Sequence, residues 1–310
     1  TLSSSSAASD VYKRQKESNI FSIPVYIIFL LFVVIAFNVL DFSYLNGISA
    51  VITFCGVALA YFVFNQINLT YQTHLPLFLY TVFIFALYPG DLDIGIAVSL
   101  LTNSFLLLIL TSTEEHFRKR SYVLVGAILV VNFIFLPTTW PMLIFVILHI
   151  IATSQQIPLN IFRLFLGMVL MLGAYFCLMY FIGFTTFDDR YLPVKIGTPM
   201  TDFYPVYFLF PIFGLMVYAV IDHFNHFNAK SPISRFKYTF ILIFTLAQLV
   251  TIILYMGKSY EYLLLLAFPA SIILSRMLRY FPKYWMKEAG LWIIIICLLV
   301  YKAGSYFQIL

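Results

Sequence analysis

The stretch TSTEEHFRKRS at residues 111–121 decides how the rest of this chain is arranged. It is the most densely charged segment in the first half of the sequence, and long apolar runs lie on both sides of it. A loop that carries Arg118, Lys119 and Arg120 between two such runs is expected to stay on the cytoplasmic side of a membrane. We therefore predict that this loop is cytoplasmic, and the sides of all other loops follow from that assignment.

The composition places the chain among membrane proteins. Hydrophobic residues make up 62% of it and charged residues only 10%, whereas charged residues are about a quarter of a soluble domain. The apolar residues are spread along the whole chain, so we predict a single membrane domain over residues 16–310. The net charge of +5 is explained by cytoplasmic loops beside anionic lipid. Nucleic acid is not implied as a partner.

The first residues and the cysteines are interpreted separately. Residues 3–15, SSSSAASDVYKRQ, resemble translated sequencing adapter, so we predict that residues 1–15 are a non-native tail. Cys55, Cys177 and Cys297 each fall inside an apolar run without a C-x-x-C spacing. We expect three core thiols, with neither a disulfide framework nor a metal site.

The apolar runs predict an all-α bundle of about eleven transmembrane helices, since a bilayer requires about 20 apolar residues per span. The runs at 122–136 and 142–152 are short and are joined by FLPTTWP. They form either two thin spans or one re-entrant hairpin, which leaves eleven or nine spans and the same orientation. The predicted spans are 20–40, 47–64, 75–88, 94–110, 122–136, 142–152, 161–184, 203–221, 238–255, 261–274 and 289–303.

The basic residues support an N-terminus inside and a C-terminus outside. With the adapter-like tail left out, twelve fall on the predicted cytoplasmic side and four on the other, as the positive-inside rule requires. The twelve are Lys16, Arg118, Lys119, Arg120, Arg163, Lys230, Arg235, Lys237, Arg276, Arg279, Lys283 and Lys287, and the four are Arg190, Lys195, Lys258 and Lys302.

Acidic residues gather on the predicted outer side, at the ends of spans. Such acids can line a cavity and perform acid–base chemistry or hold a divalent cation, or they are solvated loop residues kept out of hydrocarbon. The D-x-D spacing of Asp91 and Asp93 suits a metal held against a sugar phosphate, although a helix cap explains it as well. The candidate catalytic residues are Asp41, Asp91, Asp93, Asp188 and Asp189, and Asp202 and Glu261 lie on the same side.

The segment Asp188-Asp189-Arg190 adds a cation to these acids. An arginine fork beside two carboxylates can bind phosphate while an acid serves as base, and an exposed ion-pair cluster is the alternative. We interpret Arg190 and Lys195 as candidate substrate-binding residues. If the outer acids share one mouth, the carboxylates of Asp93 and Asp189 should lie within roughly 12 Å of each other, about a Debye length.

Other chemistries are poorly supported. His223 and His226 lie three apart at a helix end, but a structural metal site has four ligands and no partners are evident, so no metal is predicted. Walker, dinucleotide, Ser-His-Asp and zincin motifs are absent, so ATP-driven and hydrolytic chemistry are unsupported, and the cofactor stays unknown. No span carries a charge near its centre, which argues against a proton pump.

Three segments carry a resemblance to a known group of proteins. They are LYPGDLDIGIAVSLLTNSFLLLIL at 87–110, FLPTTWP at 135–141 and MGKSYEYLLLLAFPASIIL at 256–274. With the charged loop, they resemble a family of multi-pass inner-membrane proteins of Bacteroidota whose function is unknown. The resemblance implies a bacterial inner-membrane location and brings no catalytic residue.

A weaker similarity is to membrane glycosyltransferases and polymerases that use polyprenyl-linked sugars. Those enzymes place an aspartate just after the first span on the outer face, where Asp41 lies in this sequence. They have a long first outer loop, however, and residues 41–46 form a very short one. The similarity implies a glycosyltransferase-like enzyme with Asp41 at its site, and this departure from the pattern counts against that role.

Three function classes stay open at this point. They are an envelope enzyme acting on a lipid-linked glycan at the outer face, a transporter or flippase, and a non-catalytic scaffold or complex subunit. The expected partners are membrane lipids and a polyprenyl-phosphate-linked substrate. A cavity would discriminate between them, since an enzyme predicts one open outward and lined by acids, a transporter one through the bundle, and a scaffold none.

Overall fold

A computed structural model describes residues 23–39, 44–67, 69, 74–90, 92–112, 121–183, 204, 206–227 and 232–307. Within these residues the protein is helical and contains no strand, as predicted. Three short 3-10 segments interrupt the α-helices, at Pro137–Thr139, Val206–Leu209 and Tyr260–Leu266. The described α-helices are α1 Ile23–Asn38, α2 Tyr44–Ile67, α3 Leu75–Leu87, α4 Ile94–Leu110, α5 Tyr122–Phe135, α6 Pro141–Thr153, α7 Ile157–Ile182, α8 Phe210–Asn225, α9 Pro232–Tyr255, α10 Ala267–Tyr280 and α11 Tyr284–Phe307.

The lengths and composition of these helices are those of a multi-pass membrane protein. Six helical segments of the described chain are long and apolar enough to cross a bilayer, and five apolar helices are shorter. All eleven lie where the sequence predicted spans. The number of crossings, eleven or nine, stays a prediction. The six long segments are Tyr44–Phe64, Ile157–Ile182, Val206–Asn225, Ser234–Tyr255, Tyr260–Tyr280 and Tyr284–Ser305.

Contacts between distant segments sort the helix ends into two groups. Near Glu261, the start of α4 meets the 3-10 segment before α10, because Asp93 N–H donates to the Glu261 carboxylate. At the opposite end, Lys237 at the start of α9 donates to the Ile67 carbonyl at the end of α2, over 3.0 Å. Arg276 also lies there and donates to Ser234 of α9. We call these the Glu261 end and the Arg276 end. The grouping agrees with helices that alternate in direction.

The most buried part of the bundle is the segment that contains α10. In an apolar 18-residue stretch of Tyr260–Tyr280, 89% of the residues are buried, compared with 6% in α7. The α10 helix packs against α3, α8 and α9, whereas α7 lies at the periphery against α5 and α6. The apolar outer surface of α7 is what a helix facing lipid would present.

Glycine allows two helix pairs to pack with their backbones in contact. A Cβ on Gly126 of α5 would lie 2.1 Å from the Leu164 carbonyl oxygen, and one on Gly167 of α7 would lie 1.9 Å from the Val123 carbonyl oxygen. Gly56 of α2 lies similarly close to the backbone of Leu101 in α4. Small residues permit this close approach of helices in membranes.

The helices on either side of the FLPTTWP break run between the two ends. The Phe135 carbonyl at the end of α5 lies against Gly95 at the start of α4. In α6, His149 packs against Phe236 near the start of α9, at the Arg276 end. Helices α5 and α6 therefore pack along α4 and α9, and the choice between two spans and a re-entrant hairpin stays a prediction.

Two prolines lie at the starts of α-helices. The predicted span 261–274 is not one α-helix, because residues Tyr260–Leu266 are 3-10 and the α-helix begins only at Ala267. Pro269 therefore falls in the first turn, where a missing N–H is tolerated. It is buried, and its neighbours Leu266 and Ala270 line a cavity. Pro211 likewise lies in the first turn of α8 and not within a continuous span.

The cysteine prediction was wrong. Cys55 and Cys177 are exposed on the surface of the bundle and Cys297 is partly exposed, so they are not core thiols. Within an apolar run, sequence alone does not show which face of a helix points inward. Two buried polar residues bond across helices, because Ser104 donates to the Gly56 carbonyl and Gln248 to the Met142 sulfur.

Candidate functional site

Three segments that stand far apart in the sequence meet at the Glu261 end. The backbone N–H of Asp93 donates to the Glu261 carboxylate over 3.0 Å. The hydroxyls of Thr138 and Tyr262 lie 3.2 Å apart. These contacts connect LYPGDLD, FLPTTWP and SYEY, which are parts of the three segments quoted above for the family resemblance. We call the four residues Asp93, Thr138, Glu261 and Tyr262 the polar mouth.

A second contact fixes the FLPTTWP turn against α9. Trp140 Nε1–H donates to the Tyr255 hydroxyl over 2.7 Å. The Thr139 hydroxyl closes the turn by donating to the Leu136 carbonyl over 2.8 Å. Prolines at 137 and 141 begin the 3-10 segment and α6 respectively, because their fixed φ suits the first position of a helix. The turn is thus held rigidly beside Tyr262.

The 3-10 geometry of Tyr260–Leu266 explains how one segment serves two environments. Residues three apart share a face in a 3-10 helix. Leu263 and Leu266 therefore point the same way, into an apolar cavity. Glu261 and Tyr262 occupy the two other faces and belong to the polar mouth. An α-helix over the same residues would not sort them by this three-residue repeat.

The two described acids of the mouth stand at the N-terminus of α4. Asp93 is the N-cap residue of that helix and is exposed, and Glu261 is half-buried. A helix N-terminus carries partial positive charge, which favours carboxylates nearby. The N–H···O bond to Glu261 adds a charge-assisted contact. These two effects offset the repulsion between the carboxylates.

A lysine lies close to Tyr88, the residue that follows the end of α3. Lys302 of α11 donates to the Tyr88 carbonyl over 2.5 Å, and its ammonium lies 4.2 Å from the centre of the Phe37 ring. The Tyr88 hydroxyl in turn accepts a hydrogen bond from Asn38 of α1. From the sequence, Lys302 was expected only to be one of the four basic residues on the outer side. Lys302 is the one basic residue within the last predicted span, 289–303, and that position in the sequence pointed to a specific role.

An apolar cavity of about 240 Å³ lies beside the mouth, since Leu263 and Leu266 line it, and it reaches the outer surface of the bundle at Phe213 and Ile253, which are exposed. Its walls come from α3, α8, α9 and the Tyr260–Ala270 region, and no charged residue lines it. We call it the lateral groove. The lateral groove matches none of the three expectations. It is not lined by acids, as an enzyme site was expected to be, and it does not continue through the bundle, as a transporter cavity was expected to. A scaffold was expected to have no cavity. The lining includes Phe83, Leu87, Leu209, Phe213, Ile253, Leu263 and Leu266.

The structure tests little of the predicted site. Among the candidate residues, Asp93 is placed, and it belongs to the polar mouth. The expected approach of Asp93 to Asp189 stays a prediction, since Asp189 lies outside the described residues. The same holds for Asp41, Asp91, Asp188, Arg190 and Lys195.

The two histidines considered for a metal have separate partners. His223 is 1% exposed and packs against Tyr238 with ring centres 4.5 Å apart. His226 is exposed and pairs with Asp222 over 3.0 Å. Across the described ranges, no group of three or more His, Cys, Asp or Glu side chains is close enough to hold an ion.

Comparisons with known proteins place the chain in a family without assigning it an activity. No curated protein and no solved structure matches it. The bacterial origin and the similarity to glycosyltransferases therefore remain predictions. A family described as a family of unknown function, DUF6427, matches residues 14–307. The protein belongs to that family.

Proposed function

We propose that this protein lies in the bacterial inner membrane and binds a lipid-linked substrate at the Glu261 end, which faces outward. The substrate class is a lipid with a phosphate- and sugar-bearing headgroup, such as a polyprenyl-phosphate-linked glycan used in envelope biogenesis. The excess of basic residues on the predicted cytoplasmic side supports this orientation.

One observation carries the proposal, namely that Tyr260–Leu266 contributes to both the polar mouth and the lateral groove. An amphipathic lipid needs an apolar path for its chain and polar groups for its headgroup within one site. Leu263 and Leu266 supply the apolar path, and Glu261 and Tyr262 supply the polar groups. The groove opens sideways between membrane helices, so a chain can enter from the bilayer without crossing water.

The polar groups at this end suit a glycan phosphate. Carboxylates accept hydrogen bonds from sugar hydroxyls, and an acid near the N-terminus of α4 can serve as a general base. Lys302 is a half-buried cation beside Tyr88. An ammonium there can act as a point charge on phosphate. Asp41, Asp91, Asp188, Asp189, Arg190 and Lys195 are proposed to join this site, which would make it a glycosyltransferase-like enzyme.

A transporter or flippase is the second candidate, and the broken helices favour it. Two of the long segments, Val206–Asn225 and Tyr260–Tyr280, begin as 3-10 and continue as α-helix. Discontinuous helices are typical of transporters. Against it, the lateral groove adjoins only the Glu261 end. The scaffold class is the outcome if no lipid binds.

A binding experiment tests the proposal. Purified protein in phosphatidylcholine nanodiscs is titrated with a radiolabelled polyprenyl phosphate, with unlabelled compound as competitor. We expect saturable binding that polyprenol without phosphate competes for more weakly. Binding that does not saturate, or that the alcohol displaces equally well, contradicts a headgroup-specific site.

A further inference from the structure

We infer that the Arg276 end contains a second, separate site, which binds a phosphoryl anion between Arg276 and the N-terminus of α9. This inference is independent of the function proposed for the Glu261 end.

Arg276 is a buried cation whose hydrogen-bonding capacity is largely unused. Its side chain is 4% exposed, and its Nη2 donates to the Ser234 hydroxyl over 3.0 Å. Its Nη1 is also buried and has no acceptor. A guanidinium has five N–H donors, and a buried donor without a partner costs about 1–3 kcal/mol. The site is therefore incomplete as it stands.

Aromatic rings surround the guanidinium where a carboxylate would be expected. The guanidinium carbon lies 4.4 Å from the centre of the Tyr238 ring and 5.8 Å from that of Tyr280. In the described chain, no acid forms an ion pair with Arg276. Asp222, whose charge reaches it, is paired with His226. Cation–π contacts and the charge of Asp222, which forms no direct ion pair with Arg276, stabilise the buried cation only partly.

A second positive element faces the same place. Ser234 lies in the first turn of α9, and that turn carries no acidic residue. The first-turn N–H groups and the helix dipole give this end partial positive charge. The partial charge of this helix end disfavours the nearby guanidinium, and an anion bound beside both would be stabilised by both. Helix N-termini and arginine forks both select phosphate.

The phosphoryl group can come from an anionic lipid headgroup or from a soluble phosphate. The two sources are separated by measuring thermal stability in two ways. Protein in detergent is titrated with inorganic phosphate, with chloride at equal ionic strength as the control. Protein in nanodiscs free of soluble phosphate is compared between phosphatidylglycerol and phosphatidylcholine. Stabilisation in the first assay supports a soluble ligand, and stabilisation only in the second supports a lipid headgroup.

The variants are Arg276→Gln, Arg276→Lys and Ser234→Ala, with Arg279→Gln on the same helix as the control. We expect R276Q to weaken binding of the phosphate source that stabilises the wild type. The loss should be roughly ten- to hundredfold, because a charge-assisted hydrogen bond is removed. R276K should weaken it less, and R279Q should respond like wild type. If R276Q does not fold, S234A and R276K carry the test. A wild type that responds to neither source, or an R276Q that responds equally, overturns the inference.

Discussion

The Glu261 carboxylate accepts a hydrogen bond from the backbone N–H of Asp93, although 168 residues separate the two in the chain. This contact joins the N-terminus of α4 to the 3-10 segment that precedes α10. It brings two acids together at the end of an apolar bundle, where their repulsion is offset by the helix dipole. It is the contact from which we infer a common headgroup site.

The first prediction concerns the acids of the mouth. Glu261→Gln and Asp93→Asn should weaken binding of a polyprenyl phosphate that carries a sugar by roughly ten- to hundredfold, because each removes a charged acceptor. Binding of the same lipid without its sugar should not weaken, because removing a negative charge does not disfavour an anionic phosphate. Asp222→Asn at the Arg276 end is the control. Equal losses for both lipids would contradict a sugar-binding role.

The second prediction concerns Lys302. Lys302→Met removes its hydrogen bond to the Tyr88 carbonyl and its contact with Phe37, so the melting temperature should fall by an amount that corresponds to roughly 1.5–3 kcal/mol. The preference for polyprenyl phosphate over polyprenol should also fall. Lys302→Arg keeps the charge and should retain that preference. If K302M lowers stability but leaves the preference unchanged, Lys302 is only structural.

The third prediction concerns the contact between α5 and α7. Gly167→Ala places a Cβ 1.9 Å from the Val123 carbonyl oxygen, so the helices must separate, at a cost of about 1–3 kcal/mol. Gly173→Ala is the matched control on the same helix, because a Cβ there meets nothing within 4 Å. Thermal unfolding in detergent should show a lower melting temperature for G167A alone. Equal melting temperatures would show that the two helices do not pack this closely.

Sequence patterns predicted the eleven helices because apolar runs and Pro-Gly breaks are local properties. They did not predict the cysteine positions, since runs that are apolar on every face show no preferred inward side. The sequence patterns did not predict the contact between Glu261 and Asp93 either, because it depends on which helices are neighbours. The 3-10 form of Tyr260–Leu266 was not predicted either, and this segment contacts three helices that are distant in the sequence, α3, α4 and α9.

The fourth prediction concerns orientation. In a background of Cys55→Ser, Cys177→Ser and Cys297→Ser, single cysteines are introduced as Lys258→Cys and Lys283→Cys, both at exposed positions. A membrane-impermeant thiol reagent should label position 258 in intact cells and position 283 only after lysis. Labelling of both positions in intact cells would contradict the alternating arrangement. The reverse pattern would place the Glu261 end in the cytoplasm.

The lateral groove is tested most directly by the lipid that it retains. Ile253 lines the groove and is 61% exposed, so Ile253→Trp should fill the groove without disturbing the core. Leu246→Trp is the matched control, two turns away on α9, 59% exposed and outside the groove. Native mass spectrometry of protein purified from its own membrane should show a bound lipid on the wild type and on L246W, and little on I253W. Equal lipid on all three, or none on the wild type, would contradict the account of a lipid-binding site at the Glu261 end.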